Sequence, residues 1–461
     1  MEFIKKNLIV LVCGAISIIS LIAIFIGQAK IASAKDALAQ AQKYIDTINS
    51  LQRGVPVTTP DGKTLNLIPT KEAIEKLKEI SNLYKAQGYQ ALGKALKINI
   101  GYDPKSHKTR RQLLLDGIFP EPVTPDKPFM FAKIYNKSLA NLLTKLHAGD
   151  APSDEDIERN YEIVAQDLGF LAEEAAGTQQ GEEGKGTKKK YTEEDLKKSA
   201  IQKAIIEKAN SIKIYCTTDA LDIIQEAYTS SSGQPPLTED MWWAQLSYWL
   251  QTDIIDAINQ TNSNSKNVIE SPVKRILEIK MMHGYVTPEG FIGRDDPGLP
   301  DSFTVMAGNK YYDVVRFSIT VIIDARMIPL FIDSLYKEGY YTMYLCNIES
   351  IDSLENISRQ RNQSGTKDLY YYGPSPVIKF TSYWETYLLR DFYHWGIIGY
   401  DVNPKTGKTQ LILYNGNKVE VDNIEDRTKL QGLMPKSIRQ LLTGEGAEEN
   451  SSRKSRRKRR R

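Results

Sequence analysis

Apolar side chains are concentrated at the start of the chain and recur at regular spacing after it. Leu8 to Ile26 contains no charged residue, and a helix of that length spans about 28 Å, close to the hydrocarbon thickness of a bilayer. Residues 1–27 are therefore predicted to form a cytoplasmic stub and a transmembrane helix. A cleaved signal peptide is the alternative, because Ala32-Ser33-Ala34 resembles a cleavage site. We favour the uncleaved anchor, because Lys30 and Lys35 flank that site.

A heptad pattern follows the apolar block directly. Its apolar residues are three and four positions apart, as at the a/d seam of a coiled coil: Ile31, Ala34, Leu38, Ala41, Ile45 and Ile48. A second amphipathic segment runs from Thr70 to Leu96, so residues 28–98 are predicted to form a coiled coil or helical hairpin. The first helix could pack on its own domain, pair with the second segment, or pair with another chain.

The middle of the chain, residues 99–261, carries a mainly helical pattern. Within it, a stretch rich in Gly, Glu and Lys at 174–190 predicts a flexible linker. Thr238 to Gln260 predicts a helix that is unusually rich in aromatic residues. We expect these rings to face the core rather than a partner, because large aromatic side chains are most often buried.

Strand and helix patterns alternate between Asp313 and Asp352. From Val315 to Val321 apolar residues alternate with polar ones, as in a strand that is buried on one face. Ile328 to Leu335 then carries the apolar stripe of a helix, and a second strand follows Gly339. These residues predict a β-α-β unit.

Further strand patterns surround this unit, at Ser271–Met282 and Pro376–Leu388. Short split β-α-β units are typical of ferredoxin-like folds, so residues 262–445 are predicted to form a ferredoxin-like α+β domain. Asn415-Gly416 predicts a tight hairpin, inserted at about 398–424. The predicted fold class is therefore α+β: a transmembrane helix and coiled coil, a helical middle region, and a ferredoxin-like C-terminal domain.

Charge changes the picture only at the C-terminus. The 461-residue chain has a formal charge of +3, but eight basic residues lie in its last nine positions, which leaves the rest mildly acidic. Residues 446–461 are therefore predicted to be a disordered basic tail, and a polyanion could bind there. The basic residues are Arg453, Lys454, Arg456, Arg457, Lys458, Arg459, Arg460 and Arg461. The body is not expected to bind nucleic acid.

Candidate chemistry is sparse. The four histidines lack metal-ligand spacing, and the sequence contains no HExxH, GxSxG, phosphate-loop or GxGxxG motif. We therefore predict no catalytic residue, no cofactor and no metal site, and a protein that is not an enzyme. Cys13 lies in the apolar block, and the sequence leaves open whether Cys216 and Cys346 form a disulfide.

The order of these parts resembles the PilO and GspM type of bitopic inner-membrane assembly protein from type IV pilus and type II secretion systems. Tyr312 to Val321, Ile328 to Leu335 and the strand after Gly339 look like the PilO core. Tyr371-Tyr372-Gly373 to Ile378 and Met434-Pro435 are also similar to large PilO-like proteins.

That resemblance implies a single-pass protein of the inner (cytoplasmic) membrane, with its N-terminus in the cytoplasm and its body in the periplasm. It also implies a homodimer, or a heterodimer with a related bitopic subunit, and an indirect link to a cytoplasmic actin-like subunit. The expected function is a non-catalytic, membrane-anchored scaffold of a pilus or secretion assembly platform. The alternatives are an adaptor that binds anionic lipid, envelope polymer or nucleic acid through its basic tail, and, less favoured, a membrane-tethered enzyme.

Overall fold

A computed structural model describes residues 35–443, except 51, 59–61, 68–69, 104–107, 178–191, 229–233, 352–356, 362–366, 404–405 and 407. Close contacts divide the chain into two compact units, Met1–Ala91 and Leu92–Arg461.

The first unit is built from helices joined by a hairpin. Helix α1 covers residues 35–50, and strands β1 (Val55–Thr58) and β2 (Thr64–Leu67) pair antiparallel. Helix α2 (Lys71–Asn99) begins here and ends in the second unit. Gly54 and Gly62 border the hairpin strand β1 and its turn with positive φ angles of 88° and 79°, a conformation that glycine adopts without steric cost.

The second unit continues with short strands and helices. In chain order these are β3 (Tyr102–Asp103), β4 (Lys108–Thr109), α3 (Lys127–Lys145), β5 (Ala148–Gly149), α4 (Asp154–Gly177), α5 (Glu193–Ser211), β6 (Ile214–Tyr215), α6 (Gln225–Tyr228) and α7 (Thr238–Thr261). Thr192 begins α5 with a capping box, because its side chain accepts from the backbone of Asp195 while Asp195 bonds back to Thr192.

Longer strands then build the main sheet. The elements are β7 (Val273–Met281), β8 (His283–Thr287), β9 (Gly290–Asp295), β10 (Tyr312–Asp324), α8 (Ile328–Glu338), β11 (Tyr341–Ser350), β12 (Ile357–Arg361), β13 (Lys367–Tyr371) and β14 (Val377–Leu389). The chain ends with α9 (Arg390–Tyr393), β15 (Ile397–Val402), β16 (Thr409–Leu413), β17 (Lys418–Val421) and α10 (Lys436–Thr443).

The main sheet has the strand order β11-β14-β10-β7-β6-β5. Central strand β10 pairs antiparallel with β14 along its whole length and with β7 on its other side. Among the described residues, β11 pairs with β14 alone and forms one edge of the sheet. β6 and β5 extend the other edge in parallel with β7. The sheet thus contains two successive α-β-β units, α7-β7-β10 and α8-β11-β14.

One face of the sheet forms the hydrophobic core. Val315, Phe317, Ile319 and Val321 alternate along β10 and pack in the same buried cluster as α7 and α8. This confirms the predicted strand, helix and second strand between residues 313 and 352. The polar residues between them, Arg316, Ser318 and Thr320, are buried as well, so β10 is covered on both faces and not, as predicted, on one.

The aromatic helix α7 lies inside this core. Trp242, Trp243 and Trp249 are all buried, which confirms the predicted core face. Two indole groups retain a hydrogen-bond partner: Nε1 of Trp242 donates to the Tyr285 hydroxyl at 3.0 Å, and Nε1 of Trp249 donates to the Gln112 carbonyl at 2.7 Å. Burial of each large ring removes its apolar surface from water without leaving its polar atom unpaired.

The predicted hairpin around Asn415-Gly416 is present, and a third strand extends it. β16 and β17 pair across it, and β15 pairs with the other side of β16. Gly416 has φ +83°, which explains the glycine at this turn.

None of the described helices combines the length and the apolar character needed to cross a bilayer. The predicted anchor Leu8–Ile26 lies outside the described residues. The described part of the chain is a mixture of helix and sheet. Because no described helix could cross a membrane, the predicted fold class with its transmembrane helix is wrong. The predicted single-pass inner-membrane location with a periplasmic body is wrong for the same reason.

Candidate functional site

The apolar stripe of helix α1 is exposed along its described length. Leu38 is 71% exposed, Ile45 is 51% exposed and Ile48 is 53% exposed, and Ala41 is exposed between them. We call these four residues the α1 seam. Apolar residues at coiled-coil spacing stabilise a helix only when a second surface covers them. The described part of this chain supplies no such cover.

The remaining residues of the predicted seam and the basic tail lie outside the residues that the structure describes. Ile31, Ala34 and residues 453–461 are not among the described residues, so their predicted roles stay predictions. The predicted linker at 174–190 is likewise mostly outside, although α4 continues to Gly177.

The edge strand β11 is a second exposed surface. Its residues from Leu345 to Ser350 are all exposed, and Ile348 is 56% exposed. One carboxylate on it, Glu349, is paired with Lys379 of β14 at 3.2 Å. Natural sheet edges are usually protected by lysine, proline or a covering element. The exposed half of β11 has no lysine or proline, and no described strand pairs with its outer side.

A buried ionic cluster ties the loop before α3 to the core. Nη2 of Arg111 lies 2.6 Å from Oδ2 of Asp253 on α7, and the Tyr341 hydroxyl donates to the same oxygen at 2.5 Å. Burial acts to lower the pKa of Arg111, but the charges of Asp253 and Tyr341 outweigh burial and raise it. Burial also raises the pKa of Tyr341. A charged pair sealed from water in this way holds the loop and α7 together as long as both partners are present.

A second cluster joins β8 to the segment before α6. Nε2 of His283 lies 2.8 Å from Oδ2 of Asp222, and the Ser247 hydroxyl donates to the same oxygen at 2.6 Å. Nδ1 of His283 lies 3.6 Å from Asp295. Burial acts to lower the pKa of His283, but the hydrogen bond and charge of Asp222 outweigh it and raise the pKa.

These three side chains do not form a nucleophilic triad. In such a triad the histidine lies between the hydroxyl and the carboxylate and takes the proton from the hydroxyl. Here Asp222 lies in the middle and accepts from both Ser247 and His283, so the histidine does not lie beside the hydroxyl. The arrangement stabilises the contact between β8 and α7.

A third cluster lies where β14 ends in α9. Asp313 accepts a hydrogen bond from Nε of Arg390 at 2.9 Å and lies 2.5 Å from Nε2 of His394. Asp313 and His394 are each 1% exposed. Arg390 and His394 also line a cavity.

No family model, curated protein or solved structure matches this chain. The predicted assignment to pilus and secretion assembly proteins is therefore corrected, since nothing in these comparisons supports it and the described residues contain no membrane-spanning helix.

The cysteine question left open by the sequence has an answer in the structure. Cys216 is buried and Cys346 is exposed on β11, and both are free thiols. Burial raises the pKa of Cys216 to about 12, so this thiol stays protonated and packs as a small apolar group. Among the described residues, no group of three or more His, Cys, Asp or Glu side chains could hold a metal ion.

Sequence reasoning missed the three buried clusters because their members lie far apart along the chain. Arg111 and Asp253 are separated by 142 residues, and Asp222 and His283 by 61. The one local signal was Asp253 itself, a carboxylate beside Ile254 and Ile255 in an apolar helix, since a charge on a buried face needs a partner.

Proposed function

We propose that this protein is a non-catalytic assembly protein that pairs with a second copy of itself through the α1 seam. The observation that carries the proposal is the exposure of Leu38, Ala41, Ile45 and Ile48 at coiled-coil spacing. Covering a leucine or isoleucine side chain stabilises by roughly 1.5–3 kcal/mol. Covering three such residues on each copy therefore stabilises a pair of α1 helices relative to two separate ones.

The positions beside the seam favour pairing of identical chains. In a parallel pair, Ala37 of one copy lies near Gln42 of the other, and Tyr44 lies near Asn49. These residues are uncharged, so self-pairing meets no like-charge repulsion there. A partner that read a charge pattern would need charged residues at these positions.

The edge strand β11 supports the same function. Two antiparallel copies of the exposed half, Leu345 to Ser350, would satisfy its outer backbone groups with each other. Opposing Glu349 side chains would not lie directly across such a pair when its centre falls between Asn347 and Ile348. The short α1 helix and this strand thus provide two surfaces of the kind that identical chains share.

The non-catalytic part of the proposal rests on the buried clusters. Asp253 and Asp222 each accept hydrogen bonds from two side chains of the same chain. Carboxylates occupied in this way position helices and strands.

Disulfide trapping tests the seam. In a full-length chain with Cys13→Ser and Cys346→Ser, Ala41→Cys places a thiol at a seam position, and Ala39→Cys places one on the outer face of the same helix. We expect mild oxidation to link Ala41→Cys into covalent dimers within minutes, while Ala39→Cys stays mainly monomeric on non-reducing gels. Both changes replace an exposed alanine, so they are matched.

Light scattering provides the second readout. Ile45→Asp introduces a charge at the seam and should convert the dimer to a monomer, whereas Asp46→Ala on the outer face should leave its mass unchanged. Equal cross-linking at both positions, or a monomer at all concentrations of the unmodified chain, would contradict the proposal.

A further inference from the structure

The second unit contains a cavity of about 610 Å³, a size usual for small-molecule sites. Its walls come from the turn between β8 and β9, residues 308–311, helix α9, residues 424–427 and helix α10. The proposed pairing through the α1 seam does not use it.

Burial separates the floor of the cavity from its rim. Arg390, Arg427 and Asp391 are 14%, 17% and 22% exposed, and His394 is almost fully buried. The rim carries Glu289, Lys310 and Glu425, which are exposed, and Lys310 lies 3.5 Å from Glu425. The floor therefore holds two guanidinium groups and one carboxylate.

Each floor arginine is held from one side by an aspartate. Arg390 binds Asp313 through Nε and Nη2, at 2.9 and 2.8 Å. Nη2 of Arg427 donates to Asp391 at 2.6 Å, and its Nη1 donates to the Ile424 carbonyl. Such pairs hold the planar guanidinium in one orientation before a ligand arrives.

Arg390 keeps a free donor. No described residue pairs with its Nη1 group, although the side chain lines the cavity. Asp391, the one carboxylate of the floor, is already occupied, because it accepts from Arg427 and from the Tyr400 hydroxyl. The floor thus offers a donor, while each oxygen of its carboxylate already accepts a hydrogen bond, and the donor suits an anionic group.

Apolar side chains form the remaining walls. They are contributed by separate elements and face the same space: Leu92, Leu389, Trp395, Ile424 and Leu442. A purely inorganic anion would leave these surfaces uncovered.

We propose that this cavity binds a small organic carboxylate with an apolar body. The carboxylate accepts from Nη1 of Arg390 on the floor, and the apolar body lies against Trp395 and Leu442. A charge-assisted hydrogen bond of this kind distinguishes a carboxylate from a neutral group of the same size.

Calorimetric titration of the full-length protein with three eight-carbon probes tests the proposal. Octanoate carries the proposed carboxylate, octanol is neutral and octylamine is cationic. We expect octanoate to bind with a Kd at least tenfold lower than either other probe, since a hydrogen bond to a charged group gives roughly that discrimination. Equal or tighter binding of octanol or octylamine would overturn the proposal, as would the absence of saturable binding by octanoate.

A matched pair of variants assigns the binding to this cavity. Leu442→Asp places a negative charge in the wall and should weaken octanoate binding at least tenfold. Leu441→Asp places the same charge on the neighbouring residue, which is 67% exposed and does not line the cavity, and should leave the Kd unchanged. Equal affinity of the two variants would place the octanoate elsewhere and refute the site.

Discussion

Two charged pairs in the core of the second unit join separate elements: Arg111 with Asp253, and Arg390 with Asp313. Arg111 and Asp253 are at most 2% exposed and 2.6 Å apart. Removing both charges from water is costly, and their attraction offsets that cost only while both remain. The free energy of unfolding should therefore fall sharply when one member of the pair is removed and the other stays buried.

Asp253→Ala tests this pair. We expect a loss of roughly 3–5 kcal/mol in the free energy of unfolding, because Arg111 would stay buried without its carboxylate. Urea denaturation followed by circular dichroism measures it. Asp256→Ala, one turn away on α7, removes a partly exposed partner of Lys145 and should cost about 1 kcal/mol or less. Similar losses in both variants would show that the buried pair has no special weight.

The pH dependence of stability should report on His283. Its pKa is raised in the folded protein, so the stabilisation it gives is fully present below the unfolded pKa of about 6.5 and is lost as pH rises through the folded value. His283→Asn removes it. The stability gap between the unmodified chain and this variant should therefore be largest near pH 6 and shrink toward pH 9.

Chemical denaturation at several pH values gives that gap. A gap for His283→Asn that widened with rising pH would contradict the raised pKa.

At the scale of elements, the sequence predicted what local patterns control. Strand β10, helix α8 and helix α7 each show a long apolar period, and the structure contains all three. The strands β5 and β6 have two residues each, too few to show an alternating apolar pattern. They form because β6 pairs with β7 and β5 pairs with β6 in the assembled sheet. Pairing between distant segments leaves no local signature.

The two candidate sites also differ in whether a local sequence pattern could predict them. The α1 seam is a local pattern and was predicted, with its exposure added by the structure. The cavity gathers residues from Leu92 to Leu442, and no spacing rule connects them. The sequence could not identify Arg390 as a site residue, because only the fold brings Asp313 beside it.

The edge strand β11 carries its own prediction. Ile348→Lys places a charge on the exposed edge, a change that natural sheets use to prevent edge pairing. We expect association of the full-length chain to weaken several-fold in analytical ultracentrifugation, with unfolding free energy changed by less than about 0.5 kcal/mol.

The matching control is Leu441→Lys, which adds the same charge to an exposed leucine of α10. It should leave association unchanged. If both lysine variants associate like the unmodified chain, β11 is not a contact surface.

Across the whole molecule, the surfaces and the interior have separate roles. The exposed surfaces, α1 and β11, are apolar or unpaired and suit association. The interior of the second unit contains close aromatic packing and charged pairs that join separate elements. The exposed surfaces are the observation on which the proposed self-association rests.

The position of β14 in the sheet bears on how the chain is made. β10 lies between β7 and β14, and Asn99 binds the backbone of Tyr387 and Leu389, nearly 290 residues later. Until the ribosome has released that late segment, β10 has no neighbour on one side and its apolar face lacks part of its cover. Contacts so distant in sequence form slowly, and intermediates with open strands are prone to aggregate. Biosynthesis of this protein therefore has an interval, between the emergence of β10 and that of β14, in which a chaperone would be of use.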